Sequence, residues 1–210
     1  MANWCNIRLS VFGEPSSVEP FRKAAGALEG RIRTKRSSIF LPEMEFGEGG
    51  DLTAYGVLPF RRRYQRAEYR FQGRNTDHLD HFQEIAKRYP ALAFVLTYSD
   101  WNGDEHGSHL LLGSRTRSWS VPGTTRSRIV RSLYRKYKCV DARGRIDWEA
   151  DYSDLADWEA FGEMMNLAAH KWDAAVLRFL EPLYRRSRLA KRTKKVGVRA
   201  VRGRRTGRSR

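Results

Sequence analysis

The sequence has few cysteines, no long apolar run and no basic and apolar pattern in its first residues. Only Cys5 and Cys139 are cysteines among 210 residues, too few for a disulfide framework and in keeping with a reducing compartment. The longest unbroken apolar run, residues 91–96, is far shorter than the roughly 20 residues that span a bilayer. The first residues show no basic and apolar leader. We therefore expect a cytoplasmic protein without a membrane segment.

Motifs of common enzyme classes are also absent. The sequence contains no phosphate-binding P-loop, nucleophile elbow, dinucleotide fingerprint or Cys-x-x-Cys pair. His78 and His81 stand three residues apart beside Asp77 and Asp80, but zinc needs three or four ligands and no further ligand is marked. We therefore expect a non-enzymatic protein with no cofactor, no bound metal and no catalytic residue. A metal-dependent nuclease or hydrolase is the less favoured alternative.

Positive charge is abundant and concentrated at one end. Forty Lys and Arg against 24 Asp and Glu give a net charge of +16. Thirteen of these cations, and no acid, lie in residues 182–210. Two inner basic segments lie at residues 61–74 and 126–138. An acidic segment with eight acids and two arginines spans residues 141–163. The charge blocks could fold against each other, or each could meet a different partner.

Hydrophobic periodicity predicts an α+β fold. Apolar residues alternate at 6–12 and 66–72, whereas 91–98 is apolar on both faces and indicates a central strand covered on both sides. The order of elements is close to a ferredoxin-like split β-α-β sheet, which carries two helices on one face. The remainder of the chain, or the partner in a homodimer, would cover the other face. The other expected elements are helices at 17–29 and from 77 to before Pro90, short strands at 39–41 and 109–112, a short helix containing Ile129, Leu133 and Tyr137, and one bent or two separate helices at 153–186.

These patterns divide the chain into three parts. Residues 1–122 form the expected ferredoxin-like α+β domain. Residues 123–186 form a mainly helical extension that packs on it, with Leu155, Trp158 and Leu167 among its apolar positions. Residues 187–210 form an Arg/Lys-rich tail, which we expect to be disordered alone because it has too few apolar residues to bury.

Two motifs resemble a known family. The opening Met1-Ala2-Asn3-Trp4-Cys5-Asn6, followed by Leu9, Val11 and Gly13, resembles the start of YubB-type ferredoxin-like proteins. Tyr89-Pro90, then Leu92, Phe94 and Tyr98, a turn and Gly107, is similar to the helix end, core strand and hairpin of that family. The resemblance spans about residues 1–113 and implies an accessory protein of bacterial plasmids, phages and other mobile elements. It implies no catalytic residue, and the family's usual tryptophan-proline segment is absent from this chain.

The basic tail is the strongest functional signal in the sequence. Lys and Arg neutralise phosphates and release counterions, which requires charge density rather than fixed geometry, so we expect non-specific binding of DNA or RNA. An inner patch of four arginines would extend the surface. The candidate phosphate contacts are Arg188, Lys191, Arg192, Lys194, Lys195, Arg199, Arg202, Arg204 and Arg205 in the tail, with Arg61, Arg62, Arg63 and Arg66 in the inner patch.

A protein partner is the main alternative. The tail could bind an acidic protein, or the folded body could act as an interaction module for a host or element protein. In the second case the contact would be an exposed sheet edge or the acidic segment 141–163. Either alternative leaves the tail without a role in binding nucleic acid.

Overall fold

A computed structural model of the chain describes residues 4–28, 31–32, 37–41, 44, 53–61, 63–74, 77–100 and 105–205, and over 191–205 it describes the helix backbone. The strands are β1 (Trp4–Gly13), β2 (Ala27–Leu28), β3 (Arg31–Ile32), β4 (Thr53–Phe60), β5 (Tyr64–Arg74), β6 (Ala93–Asp100), β7 (His106–Leu112) and β8 (Arg115–Ser120). The helices are α1 (Pro15–Ala24), α2 (Leu79–Arg88), α3 (Gly123–Lys136), α4 (Ser153–His170) and α5 (Asp173–Arg205).

The described strands form one antiparallel sheet in the order β2-β3-β4-β5-β1-β6-β7-β8. Six strands are long, whereas β2 and β3 have two residues each. The chain is therefore a mixed α and β protein. Strand β6, which is apolar on both faces, lies between β1 and β7, so the prediction of a central strand is confirmed.

Helices α1 and α2 cover one face of the sheet. Alternation along β1 directs Ile7, Leu9 and Val11 to this face, where each is at most 2% exposed. One apolar cluster joins these side chains to both helices and to the inner faces of β5 and β6. The helical members of this cluster are Val18 and Phe21 in α1 and Phe82, Ile85 and Ala86 in α2.

The C-terminal helices cover part of the opposite face. Val176 and Leu180 of α5 pack in one cluster with Phe12, Val95 and Leu110 from the sheet. The expectation that the rest of the chain covers this face is therefore confirmed for the region that α4 and α5 contact. Association into a homodimer stays a prediction.

A buried polar contact ties the two C-terminal helices to β7. Trp172, between α4 and α5, donates a hydrogen bond from Nε1 to the Oγ atom of Ser108 at 2.9 Å. Ser108 is fully buried and donates in turn to the carbonyl oxygen of Ala168 at 2.8 Å. Because a buried hydroxyl needs partners, this pair of bonds fixes where the helices meet the sheet.

Some expectations from the sequence were wrong. Residues 39–41 were expected to be a strand, but residues 39 and 40 belong to a bend, although Ile39 and Phe40 are buried in the core. The side chains of Leu155, Trp158 and Leu167 are exposed, because α4 buries its small residues instead. Close approach of α4 to the sheet and to α3 favours Ala over Trp at the contact. The residues that α4 buries include Ala156, Ala160, Ala168 and Ala169.

The C-terminal tail begins as part of a helix. Helix α5 continues from the sheet through residue 187 and ends at Arg205, so the tail from 187 to 205 is an extension of a packed helix. Lys and Arg are good helix formers, which makes this continuation compatible with the sequence. Disorder of the tail on its own stays a prediction.

Within the part of the chain that the structure describes, no helix has both the length and the apolar composition needed to cross a bilayer.

Replacement of Trp172 tests the packing of the C-terminal helices on the sheet. We expect Trp172→Ala to lower the free energy of unfolding by about 3 kcal/mol, because it removes a largely buried ring and the donor to Ser108. Urea unfolding monitored by circular dichroism measures this change. Arg178→Ala, an exposed change on α5, should cost under about 0.5 kcal/mol. Equal effects of the two changes would contradict the packing described here.

Candidate nucleic-acid interface

The inner arginine patch lies at the turn between β4 and β5. Phe60 pairs with Tyr64 across this turn, so residues 61–63 form its tip. The Arg61 backbone has a φ of 57°, in the left-handed region, and the side chains of Arg61 and Arg63 are exposed. Arg62 lies outside the described residues. The turn therefore presents two described guanidinium groups at one end of the sheet.

The start of the tail meets this turn at Tyr184 of α5. The Cζ atom of Arg63 lies 4.7 Å from the centroid of the Tyr184 ring, and that of Arg188 lies 5.7 Å from the same centroid. Both distances are within the range of a cation–π contact. The two basic regions predicted from the sequence are therefore adjacent, and Arg63, Tyr184 and Arg188 are named the junction.

Glu181 holds the junction to the sheet. One carboxylate oxygen lies 3.5 Å from Nη1 of Arg63, and the other accepts a 3.0 Å hydrogen bond from the hydroxyl of Tyr64. Burial raises the pKa of Tyr64 to about 12, aided by the hydrogen bond to Glu181 and by the charge of that carboxylate. Tyr64 therefore stays a hydrogen-bond donor at neutral pH.

A second contact fixes the beginning of the tail. The Oγ atom of Ser187 lies 3.0 Å from a carboxylate oxygen of Glu14 and 2.9 Å from the carbonyl oxygen of Tyr184. Glu14 is at the corner between β1 and α1. Ser187 directly precedes the candidate phosphate contacts of the tail, and this contact binds it to the folded body.

Arginines on β1 and β5 surround one buried acid. Glu68 is 5% exposed and lies 3.6 Å from Arg8, 3.7 Å from Arg66 and 3.3 Å from Arg70. Three positive charges around one negative charge leave a local excess of cations on this face of β5. Arg70 is about half exposed, whereas Arg66 is mostly covered. Arg66 is therefore first an ion-pair partner of Glu68.

The structure brings together only some of the predicted phosphate contacts. Arg63 and Arg188 meet at the junction, Arg61 is beside it, and Arg66 is on the adjacent part of β5. The predicted contacts between residues 191 and 205 lie on the backbone of α5 beyond the junction. All of these predicted contacts belong to the same helix as Arg188.

Tyr184, Glu181 and Arg8 are site residues that were not predicted from the sequence. Tyr184 and Glu181 contact residues more than 100 positions away, so no local pattern reveals the contact. A signal does exist within α5, because positions 181, 184, 185 and 188 are spaced for one side of a helix. Knowing which side faces the β4–β5 turn still requires the fold.

The described histidines do not form one ligand group for a metal ion. The Nε2 atom of His81 lies 2.6 Å from the carbonyl oxygen of Ile39, where a zinc ligand would need its metal. His106 and His109 point to opposite faces of β7, as strand alternation predicts. Among the residues that the structure describes, no group of three His, Cys, Asp or Glu side chains is arranged to hold a metal ion.

Comparison with protein families and with individual proteins adds no relative. No family model, no curated protein and no solved structure matches this chain. The resemblance to YubB-type proteins stays a prediction.

Neutralising Glu68 tests the arginine cluster. We expect Glu68→Gln to lower the free energy of unfolding by about 3 kcal/mol, because it leaves the guanidinium groups around a buried position without their anion. Glu19→Gln is the matched control, since Glu19 also pairs with an arginine but at an exposed site, and it should cost under about 0.5 kcal/mol. Thermal and urea unfolding measure both variants. A cost for Glu68→Gln as small as that of the control would show that the cluster is not a buried ion pair.

Proposed function

We propose that this protein binds nucleic acid without sequence preference through the junction, the inner arginine patch and the basic tail. The observation that carries the proposal is the meeting of Arg63 and Arg188 on Tyr184. It turns two basic regions, far apart in sequence, into one surface. An aromatic ring flanked by guanidinium groups suits both phosphate contact and base stacking.

The length of the charged helix supports this proposal. Fifteen residues of α5 lie between 191 and 205, which is about 22 Å of helix at 1.5 Å per residue. Several successive phosphates of a strand fit within that length. Because the contacts are to phosphates, affinity should depend steeply on salt and little on base sequence.

We also propose the finer fold class and setting. The order β4-β5-β1-β6, with antiparallel neighbours and with α1 and α2 on one face, supports a ferredoxin-like split β-α-β arrangement. On the resemblance of its N-terminal part to YubB-type proteins, the chain would serve as an accessory protein of a bacterial mobile element, in the cytoplasm. Nucleic-acid binding of this kind needs no cofactor.

Neutralising three cations at the junction tests the interface. We expect the triple variant Arg61→Gln, Arg63→Gln and Arg188→Gln to bind a fluorescent oligonucleotide about tenfold more weakly near physiological salt. The slope of log affinity against log salt concentration should become shallower by about one for each lost phosphate contact. Fluorescence anisotropy over a salt series, with single-stranded and duplex DNA and RNA of several sequences, measures both quantities.

The matched control removes the same charge elsewhere. Arg128, Arg131 and Arg135 are exposed on α3, and their replacement by Gln lowers the net charge equally. This control should retain nearly all of the affinity, whereas Lys191→Gln, Lys194→Gln and Lys195→Gln in the tail should weaken binding like the junction triple. If the α3 triple weakened binding as much as the other two, only net charge would matter and the proposed interface would be wrong.

A second candidate function is protein interaction through the acidic segment 141–163. The specific observation is a group of large exposed side chains in and beside α4, of which Trp158 is 73% exposed. Exposed apolar side chains within an acidic segment are typical of a protein-binding surface. Its chemistry favours a partner with a basic and apolar surface. The other members of the group are Trp148, Tyr152 and Leu155.

Replacement of Trp158 separates this function from nucleic-acid binding. We expect a partner that remains bound after nuclease treatment to be lost from the Trp158→Ser variant, because the exposed ring supplies contact area to the partner. Leu189→Ser is the control, since Leu189 is also 62% exposed but lies in α5. Quantitative cross-linking in a bacterial host, followed by purification with nuclease, measures the retained partner. Equal retention by the two variants would contradict a contact through α4.

A further inference from the structure

Three polar side chains form a hydrogen-bonded chain near the β8 edge of the sheet. The Nε2 atom of His109 lies 2.7 Å from Oδ2 of Asp77. The Nδ1 atom of the same ring lies 2.8 Å from Oγ of Ser118. A carboxylate, an imidazole and a hydroxyl in this order are the components of a Ser-His-Asp nucleophile.

The fold brings these residues together from three elements. His109 on β7 is directly opposite Ser118 on β8, in a hairpin closed by the two-residue turn at 113–114. Gly113 has a φ of 59°, which a tight hairpin turn of this kind requires. Asp77 lies shortly before α2, a helix that contacts β7.

The hydrogen bonds determine where the protons are. A carboxylate can only accept, so in the neutral imidazole Nε2 carries the proton that is donated to Asp77. The Nδ1 atom then has a free electron pair and accepts the hydrogen bond from the Ser118 hydroxyl. His109 is therefore placed as a general base for Ser118. The two ring nitrogens have exchanged roles relative to the usual Ser-His-Asp arrangement, with the same proton path.

Neighbouring groups hold the chain rigid. The Oδ1 atom of Asp77 accepts a 3.0 Å hydrogen bond from the backbone N–H of Leu79. The ring of Tyr98 stacks on that of His109 with a centroid distance of 5.0 Å and an interplanar angle of 15°. Burial raises the pKa of Asp77, but the hydrogen bonds from His109 and Leu79 outweigh this effect and keep the pKa below its usual value. Asp77 is thus ionised at neutral pH.

Ser118 is accessible whereas its base is covered. Ser118 is exposed and His109 is 6% exposed. The N–H of Val121 bonds to the carbonyl oxygen of His106, so by the alternation of an antiparallel ladder the N–H of Ser118 points away from β7. Strand β8 is at the edge of the described sheet. An oxygen atom next to Ser118 could therefore receive a hydrogen bond from this N–H.

We propose that Ser118 is an activated nucleophile that accepts acyl groups from carboxylic esters. His109 acts as the general base, and Asp77 is a positioning residue that fixes the ring and its tautomer. The site lies on an open strand edge, so it suits an ester whose carbonyl group is accessible. This activity is separate from nucleic-acid binding and departs from the expectation that the chain has no catalytic residue.

The proposed reaction conserves atoms and electrons. The Oγ atom of Ser118 attacks the carbonyl carbon while its proton moves to Nδ1 of His109. The tetrahedral intermediate collapses as the bond to the leaving alkoxide breaks, and Nδ1 returns the proton to that alkoxide. Water then attacks the acyl-serine ester by the same proton path, which releases a carboxylic acid and restores Ser118.

Covalent labelling of the full chain tests the nucleophile. The probes are a fluorophosphonate and p-nitrophenyl acetate, and peptide mass mapping locates the adduct. We expect the adduct on Ser118, with a labelling rate at least about a hundredfold above that of the denatured chain. Ser118→Ala should abolish it. Thr116→Ala, an exposed change on the same face of β8, should leave the rate unchanged. Absence of an adduct on folded Ser118 would overturn the proposal.

Loss of the base should slow labelling of a folded protein. We expect His109→Ala to lower the labelling rate about tenfold or more and added imidazole to restore part of it. Circular dichroism confirms that each variant is folded. If His109→Ala does not fold, His109→Gln replaces it with an uncharged side chain of similar reach. An unchanged rate in a folded His109 variant would overturn the assignment of the base.

The role of Asp77 has its own spectroscopic signature. In nitrogen NMR of the histidine side chains, we expect His109 of the wild type to be protonated at Nε2. Asp77→Asn can still accept from Leu79, so α2 keeps its start. In that variant we expect the Nδ1-protonated tautomer to gain population and labelling to fall about tenfold or more. An unchanged tautomer and rate would show that Asp77 has only a structural role.

Discussion

The candidate nucleic-acid interface depends on the packing of α5 against the second face of the sheet. Val176 and Leu180 are buried against the sheet, and this contact sets the rotation of the helix. One turn further on, the same rotation directs Glu181 and Tyr184 to the β4–β5 turn. The position of the tail is therefore a consequence of apolar burial. Burial is not screened by salt, so the helix stays in place at ionic strengths that weaken its contacts with phosphates.

The two acids of this surface explain how a strongly cationic region remains folded. Glu68 and Glu181 each contact arginines from more than one position, so each places a carboxylate inside a group of guanidinium side chains. Without these two carboxylates, repulsion among the arginines would destabilise this face of the sheet and the start of the tail. With them, the surface keeps an excess of positive charge and a defined geometry. A fixed arrangement of arginines loses less conformational entropy on binding than a freely moving one.

The sequence predicts the elements better than their contacts. Periodicity identifies β1, β5, β6 and the helices α1 to α3, because each has its own apolar spacing. It missed β8, which has mostly exposed residues, and it misassigned the buried side of α4, where alanines rather than Trp158 face inward. For the site, charge counting found Arg63 and Arg188 separately. Their contact depends on the rotation of α5, which is more than 100 residues from the β4–β5 turn in the sequence. No local pattern encodes that contact.

The two proposed sites are separated by the sheet itself. The junction is at the start of β5 and Ser118 is on β8, with β1, β6 and β7 between these strands. Strands in a sheet are about 4.8 Å apart, so four steps place the two sites on the order of 19 Å from each other across the sheet. No described residue of the junction contacts Asp77, His109 or Ser118. Neutralising the junction therefore leaves the His109 hydrogen bonds in place, and the two functions can be tested independently in the same full-length protein.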